Sequence, residues 1–225
     1  MPVHVVIIPD GNRRWARARG LKPWEGHYKS GSYDNLISLF REAKRLGVKY
    51  LSIWAFSTEN WKRDKKEVDI LLNLTLKRIM DFSKEIHNEK IRFRHIGRKD
   101  RIPVKLVREL EKLEKETAGY NESNVQLLLD YGGRDEIIRA VNKLIKNGKE
   151  VGESEFSEAL DTFDIPDVDL IIRTSGEKRL SGLMPFQGVY SELYFIDKHF
   201  PEFTAEDLRI AVEDFSNRKR NFGGN

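Results

Sequence analysis

The residues best suited to chemistry stand directly after the apolar run with which the chain begins. Residues 3–8, VHVVII, form a short and largely β-branched run that ends at a proline, which predicts a buried strand. Asp10 then supplies a carboxylate, and Arg13 and Arg14 supply two guanidiniums around a glycine turn. Arginines and free backbone N–H groups bind phosphate oxygens, and a carboxylate binds Mg²⁺. The segment is suited to bind a diphosphate together with Mg²⁺. The same residues are also typical of an ordinary turn without a ligand.

A second arginine-rich turn follows a later apolar run. Arg173 and Arg179 flank a Thr-Ser-Gly turn, and Ser181 follows two residues further on. Two guanidiniums, together with hydroxyl and backbone N–H donors, predict a site for a phosphate or diphosphate. The alternative is a charged surface loop. Taken alone, His27 is more often a structural histidine, and Glu192 is more often an edge-strand charge.

Strand-like and helical patterns alternate along the chain and must position these groups. Strands are predicted over residues 3–8, 50–56, 91–97, 125–130, 168–173 and 193–196. Helices are predicted over residues 15–19, 33–46, 65–87, 104–117, 135–147 and 204–217, and residues 146–167 are the most loop-like. Repeated βα units predict a single α/β domain over residues 1–225, with a central, mostly parallel sheet flanked by helices.

Four polar turns follow predicted strands. They lie at residues 10–14, 57–61, 131–134 and 173–179. In open α/β sheets, ligands bind at the carboxyl ends of the strands. We therefore expect these turns to form one basic pocket.

Composition excludes several functions. The 225 residues contain no cysteine, which rules out thiolate chemistry and cysteine-bound zinc. No apolar run approaches the roughly 20 residues that cross a bilayer, and no signal-peptide pattern is present, so we expect a cytoplasmic protein. The net charge is only +4, and the strand-exit arginines stand among acidic residues, which argues against nucleic-acid binding. No G-x-G-x-x-G follows the first strand, which argues against dinucleotide binding.

These motifs, in this order, resemble the cis-prenyltransferase family, which includes undecaprenyl and dehydrodolichyl diphosphate synthases. The resemblance runs from residue 3 to residue 224. Its strongest parts are DGNxRW at 10–15, AFSTENW at 55–61, YGGR at 131–134, and RTSGExRLS at 173–181 leading to ELYF at 192–195. It implies a transferase that elongates an allylic prenyl diphosphate with isopentenyl diphosphate. The new double bonds are Z, and an apolar tunnel houses a short- to medium-chain polyprenyl diphosphate.

The resemblance also implies roles for individual residues. The residues implied to be catalytic are Asp10, Ser57 and Asn60. Those implied to bind the allylic diphosphate are Gly11, Asn12, Arg13, Arg14, Trp15, His27, Trp61 and Glu67. Isopentenyl diphosphate is implied to bind Arg173, Arg179 and Ser181. Mg²⁺ is implied to bind Asp10 and Glu192, with Glu192 acting across a homodimer interface.

The chain departs from the family pattern at several positions. Arg13 stands where glycine is common, Gly31 comes one residue later than usual after His27, and residues 182–186 have lost the usual Asn and Trp. Asn221 replaces the arginine of a C-terminal Arg-Phe-Gly-Gly. These changes leave open a divergent enzyme that couples two allylic diphosphates or uses another acceptor. A non-catalytic subunit of a heteromeric prenyltransferase is a further alternative, and an apolar product favours contact with a membrane surface.

Overall fold

A computed structural model describes residues 1–30, 32–146, 148 and 150–221, and it contains one six-stranded sheet. The strands are β1 (His4–Ile8), β2 (Tyr50–Ser57), β3 (Ile91–Ile96), β4 (Ser123–Tyr131), β5 (Leu170–Thr174) and β6 (Glu192–Ile196). Their order in the sheet is β3-β4-β2-β1-β5-β6, and every neighbouring pair is parallel. The predicted α/β architecture with a central parallel sheet is confirmed.

Helices within the described residues connect the strands. They are α1 (Asn12–Arg17), α2 (Glu25–Ser30), α3 (Tyr33–Arg45), α4 (Lys65–Asn88), α5 (Val104–Thr117), α6 (Gly133–Ile145), α7 (Glu153–Ala159) and α8 (Ala205–Ser216). Two short 3₁₀ helices cover Thr58–Lys62 and Phe200–Glu202. In this described part, no helix is both long and apolar enough to cross a membrane.

The central strand β1 is buried on both of its faces. Val5 and Ile7 pack in a core with α3 and α8, whereas Val6 and Ile8 pack in a second core on the opposite face. Successive side chains of a strand point to opposite faces, so a strand covered on both sides reads as a continuous apolar run. The first apolar run of the sequence is such a strand, and the turn after it is therefore held by a rigid element.

Some elements differ from the sequence prediction. The first helix begins at Asn12, so residues 12–14 lie in its first turn instead of in a loop. The six-residue α2 was not predicted, and the loop prediction for residues 146–167 is wrong for residues 153–159, which form α7. Helices this short carry too few residues to show a helical period. Gly31, Asn147 and residues 222–225, which include most of the altered C-terminal motif, lie outside the described residues.

Side chains cover the backbone at both edges of the sheet. On β3, the Phe93 N–H donates to Thr117 Oγ1 at 3.1 Å, and the His95 N–H donates to Glu114 Oε1 at 2.7 Å. On β6, Arg218 Nη1 donates to the carbonyl of Leu193 at 3.0 Å. Edge strands otherwise present unpaired N–H and C=O groups to solvent. These three groups are satisfied within the chain.

Candidate active site

A cavity of about 340 Å³ opens at the carboxyl ends of the strands and continues between the sheet and helices α3 and α4. Its polar part contains seven of the predicted site residues: Asp10, Asn12, His27, Ser57, Asn60, Arg173 and Ser181. Its interior is mainly apolar and includes Leu36, Phe40, Ile53, Leu71, Leu74, Ile79, Phe82, Ile86 and Phe93. A polar mouth is therefore continuous with space for a hydrocarbon.

Asp10 and Arg173 form an ion pair at this mouth. They meet because β1 and β5 are neighbours, with Ile8 aligned to Arg173, and Arg173 Nη2 donates to Asp10 Oδ2 at 2.8 Å. The Gly11 N–H donates to Asp10 Oδ1 at 2.6 Å, and Arg14 Nη2 lies 3.5 Å from that oxygen. Burial alone would raise the pKa of Asp10, but the hydrogen bonds from Arg173 and Gly11 and the arginine charges outweigh it. The pKa is lowered, so Asp10 is ionised at neutral pH.

The buried guanidinium of Arg173 also orders the turn after β5. Its Nη1 donates to Ser181 Oγ at 2.9 Å and to the backbone carbonyl of Arg179. The side chain of Arg179 extends into solvent and pairs with Glu177, which also accepts a hydrogen bond from Arg14 Nη1 at 2.8 Å. The three residues predicted to bind one diphosphate thus share a turn, with Arg173 in the cavity wall and Arg179 at its rim.

The hydroxyls within the Thr-Ser-Gly turn face away from the cavity. Thr174 Oγ1 donates to the carbonyl of Asp10 at 2.8 Å. Ser175 Oγ is hydrogen-bonded to His199 Nδ1 at 2.7 Å. We expected these hydroxyls to be phosphate donors, and that expectation is wrong because both hold neighbouring turns together. Ser181 is the hydroxyl of this segment that lines the cavity.

The first turn of α1 carries several of the predicted residues. Gly11 has a left-handed backbone with a φ of 89°, and Asn12 Nδ2 donates to the carbonyl of Pro9 at 2.7 Å. Asn12 Oδ1 is buried and has no hydrogen-bond partner among the residues that the structure describes. Trp15 lies outside the cavity wall, where its indole N–H donates to Glu202 Oε1 at 3.1 Å. Asn12 therefore has a free acceptor in the site, whereas Trp15 ties α1 to the second 3₁₀ helix.

Ser57 and Asn60 line the mouth from the end of β2, and Trp61 does not. The Ser57 N–H donates to Asn60 Oδ1 at 3.1 Å, which caps the short 3₁₀ helix that follows. The indole N–H of Trp61 points to the buried carboxylate of Asp130, with Oδ1 at 2.8 Å. Arg101 pairs with the same carboxylate and lies over the Trp61 ring. Trp61 therefore belongs to a supporting network beside the site.

His27 enters the cavity wall from α2 among three arginines. Its pKa is lowered to about 3, first by burial and then by the charges of Arg63, Arg78 and Arg13, so the imidazole is neutral at pH 7. Arg78 donates to the His27 backbone carbonyl. Glu67, predicted to contact substrate, is instead buried against Arg63 Nη1 at 3.1 Å and Arg13 Nη2 at 3.6 Å. Glu67 holds two cations of the site and is not an open carboxylate.

The sequence interpretation missed Arg63 and Arg78, which both line the cavity. Each had a signal. Arg63 stands just before α4 and four residues before Glu67, whose opposite charge it pairs with. Arg78 stands between Leu74 and Phe82, four residues from each, and so interrupts an apolar helical stripe with a charge.

Glu192 lies far from Asp10 within one chain. It opens β6 and is aligned with Leu170, whereas Phe195 is aligned with Arg173. Three residues along a strand correspond to about 10 Å. Glu192 Oε2 instead accepts a hydrogen bond from Arg218 Nη1 at 2.9 Å. A single chain therefore does not bring the two predicted metal ligands together.

The turn at residues 131–134 does not line the cavity, so the prediction that all four turns form one pocket is wrong for this turn. The Tyr131 hydroxyl donates to the buried carboxylate of Glu136, with Oε2 at 2.6 Å. The Gly133 N–H donates to the carbonyl of Gly182 at 2.9 Å. This turn supports the segment that follows Ser181.

Comparison with known proteins places the chain in a family. Residues 8–223 match the family model described as "Putative undecaprenyl diphosphate synthase". The isoprenyl transferase of Aquifex pyrophilus is 45% identical over 224 residues, which cover 99% of this chain and 96% of that protein. The isoprenyl transferase of Thermotoga maritima is 42% identical over 229 residues, which cover 100% and 97%.

A solved structure agrees with these sequence matches. Lavandulyl diphosphate synthase from Lavandula x intermedia, in complex with dimethylallyl diphosphate, superposes with a TM-score of 0.93 and 34% identity. The match covers 99% of this chain and 98% of that chain. The fold and the site thus define a prenyltransferase. Among prenyltransferases, the chain belongs to the undecaprenyl diphosphate synthase family, which confirms the resemblance seen in its motifs.

Proposed function

We propose that this protein, as one catalytic domain, elongates an allylic prenyl diphosphate with isopentenyl diphosphate to make a short- to medium-chain polyprenyl diphosphate with Z double bonds. The observation that carries the proposal is the Asp10–Arg173 ion pair at the mouth of an apolar cavity. Cationic groups there suit two diphosphates, and the cavity behind them suits a growing hydrocarbon. The relative solved with dimethylallyl diphosphate supports the same substrate class.

The allylic diphosphate would bind at the start of α1 and beside α2. Arg13, Arg14 and Arg63 would neutralise its charge, with neutral His27 and the amide of Asn12 as hydrogen-bonding groups. During the reaction the allylic C–O bond breaks and its electron pair leaves with the diphosphate. Fixed cations aimed at this developing charge are worth more in a partly desolvated site than in water.

Isopentenyl diphosphate would bind at the turn after β5. Arg173, Arg179 and Ser181 would hold its diphosphate, so that its terminal carbon faces the allylic carbon. A carbon–carbon bond forms there, and a proton passes from the neighbouring carbon of the isopentenyl group to an oxygen of the released diphosphate. Ser57 and Asn60 stand at the mouth near this position and would orient the reacting ends and assist removal of the proton.

The residues at the mouth fit Mg²⁺. Mg²⁺ is usually bound through one or two carboxylates together with substrate phosphates. Asp10 is ionised and partly exposed, and the described residues hold no cluster of three or more acidic or histidine side chains that would bind a metal alone. When bound with the diphosphate, Mg²⁺ would supply further charge neutralisation. Glu192 of a second copy is the proposed second carboxylate.

An exposed apolar face supports a homodimer. On α6, Ile138, Val141 and Ile145 are 60%, 40% and 69% exposed, and Val189 beyond α7 is 69% exposed. Contiguous apolar surface of this kind marks interaction sites. Val189 stands three residues before Glu192, so a dimer formed through this face would include the segment that carries the proposed metal ligand. We expect sedimentation to give a dimer for the wild type and a monomer for Ile145→Lys.

The interior of the cavity is the proposed product tunnel. An apolar product also favours release at a membrane surface. Phospholipid vesicles should then raise the rate of release of long products, and free release without lipid would contradict this part of the proposal.

The deciding experiment incubates the protein with Mg²⁺, labelled isopentenyl diphosphate and allylic diphosphates from dimethylallyl to geranylgeranyl. A ladder of Z-linked products, absent with Asp10→Ala, is the expected result and also reports chain length. Products made from two allylic substrates without isopentenyl incorporation would establish the divergent coupling reaction. Absence of any product, together with activity after addition of a partner subunit, would establish the heteromeric alternative.

A further inference from the structure

Ser175 and His199 join the turns that follow three strands, β1, β5 and β6. Ser175 Oγ lies 2.7 Å from His199 Nδ1, and the Ser175 N–H donates to the carbonyl of Lys198 at 2.9 Å. The Phe200 N–H donates to the carbonyl of Asp10 at 3.0 Å. The pair therefore sits beneath the turn that presents the carboxylate of Asp10 to the cavity.

Gly11 fits against this pair with no room for a side chain. A Cβ at Gly11 would lie 2.5 Å from His199 Nδ1 and 2.5 Å from Ser175 Oγ, closer than real Cβ atoms approach other atoms. The Gly11 N–H in turn donates to Asp10 Oδ1 at 2.6 Å. The imidazole and the hydroxyl therefore pack directly against Gly11, and the N–H of Gly11 holds the carboxylate of Asp10.

Ser175 occupies a backbone conformation that favours glycine. Its φ is 79°, in the left-handed region, where a non-glycine residue is strained. Glycine would adopt this conformation without that cost. Ser175 is also almost fully buried, and its hydroxyl would lack this partner without His199. A strained, buried serine beside the reacting centre indicates that the hydroxyl itself has a role.

We propose that Ser175 and His199 are positioning residues whose hydrogen bond seats Gly11 and thereby fixes the carboxylate of Asp10 against Arg173. The two residues act through their packing against Gly11 and do not contact the substrate. The inference rests on the proposed function, because it assigns the carboxylate of Asp10 a role in diphosphate binding and departure.

The test compares four variants. His199→Leu and Ser175→Gly remove the hydrogen bond, and His199→Asn keeps an amide atom that can bond the hydroxyl. Lys90→Gly is the matched control, because Lys90 has a φ of 51° at the exposed end of α4 and the change removes strain at a residue that does not line the cavity. The measurements are kcat and KM for the allylic substrate, the melting temperature, and calorimetric affinity for inorganic diphosphate with MgCl₂.

We expect kcat/KM to fall by about ten- to a hundred-fold in His199→Leu and Ser175→Gly, as a misplaced group costs in other enzymes. Both variants should also bind diphosphate more weakly. His199→Asn should recover most of the loss, and Lys90→Gly should behave as wild type. Ser175→Gly should melt no lower than wild type, which separates lost positioning from lost folding.

Two results would overturn the inference. The first is wild-type kinetics and diphosphate affinity in both His199→Leu and Ser175→Gly. The second is equal loss in His199→Asn and His199→Leu that follows their melting temperatures, which would make the contact merely structural. If the wild type turns over no substrate, the proposed function fails, and the diphosphate affinities of the variants still decide this inference.

Discussion

Two halves of the same face of the sheet are filled differently. Under α3 and α8, the half formed by β1 and β5 is packed solid by fully buried side chains such as Leu39, Phe203 and Leu208. Under α4, the half formed by β2, β3 and β4 encloses the cavity, although its helices carry equally apolar stripes. Both halves share the partly buried Leu36 and Phe40, which mark the boundary between them.

The difference in packing between the two halves distinguishes the part of the core that stabilises the fold from the part that serves the function. An unfilled apolar cavity costs about 24 cal/mol per Å³, so 340 Å³ corresponds to at most about 8 kcal/mol. The solid half has the same sheet and the same residue types without that cost. The cavity is therefore not needed for the stability of the fold. It lies directly behind the polar mouth, where it can accommodate the hydrocarbon of a bound substrate.

The largest expected effect comes from removing the charge at the mouth. Asp10→Asn should lower kcat/KM by about 10³-fold, because an uncharged amide no longer supports Mg²⁺ or the departing diphosphate. The melting temperature should also fall, because the single amide oxygen can accept from Arg173 or from the Gly11 N–H but not from both, so activity is compared below the melting transition of the variant. Asp34→Asn, on the exposed side of α3, is the matched control. Equal activity in the two variants would contradict the assignment of the mouth.

Leucine truncations should separate the solid half from the hollow half. Leu39→Ala should lower the free energy of unfolding by about 2–5 kcal/mol, because a rigid, fully buried site leaves a new cavity. Leu74→Ala should cost clearly less, since Leu74 already borders the cavity and loses fewer contacts. Urea unfolding of both variants gives the comparison. Equal losses would mean that the two halves are packed alike.

Arg78 distinguishes the half with the cavity from the solidly packed half, because it places a cation in the otherwise apolar wall of the cavity. In the described part of the chain it pairs with no carboxylate, and burial lowers its pKa to about 10. Arg78→Leu should lengthen the products, because a growing hydrocarbon no longer has to desolvate a guanidinium. Chromatography of the dephosphorylated products measures this. Lys77→Leu, its exposed neighbour, should leave the length distribution unchanged, and an unchanged distribution in Arg78→Leu would contradict the prediction.

The smallest expected effect is a pH dependence of stability, to which one buried histidine on each face of the sheet contributes. Burial lowers the pKa of His4 in β1 to about 4 and, with three arginines, that of His27 to about 3. Both groups stay neutral when folded but protonate near 6.5 when unfolded, so the stability they contribute is complete above pH 6.5 and decreases as the pH falls. Between pH 7 and pH 5, each should remove on the order of 2 kcal/mol. Urea unfolding at both pH values should show a smaller loss in His4→Gln, and an unchanged loss would contradict the assignment.

The sheet and the position of its polar turns can be predicted from the sequence. A buried strand is recognisable as a short apolar run that ends at Pro, Asp or Gly. The pairing of Asp10 with Arg173 needs one more fact, the adjacency of β1 and β5, which the 162 intervening residues do not reveal. The rule about strand ends nevertheless placed both residues at one edge of the sheet.

Side-chain direction is what the sequence could not supply. Trp61 directly follows Asn60, yet its indole turns to Asp130 while Asn60 lines the cavity. That choice depends on the tight turn of a 3₁₀ helix and on the buried carboxylate of Asp130, which is remote in sequence but lies on the neighbouring strand β4. Glu67 was identified as an acidic residue near the site, but its pairing with Arg13 appears only when α1 and α4 are packed together.

The covered edges of the sheet limit how copies of this chain can associate. A sheet that grows from one molecule into the next needs free amides and carbonyls along its outer strand. On β3 the outward N–H groups of Phe93 and His95 already donate hydrogen bonds to side chains of α5. On β6 the carbonyl of Leu193 already accepts a hydrogen bond from Arg218. Continuous sheets between molecules, including the fibrillar kind, would first have to break these bonds. Copies of the chain are therefore expected to associate through their helices. The specificity of such contacts comes from side chains and not from backbone hydrogen bonds.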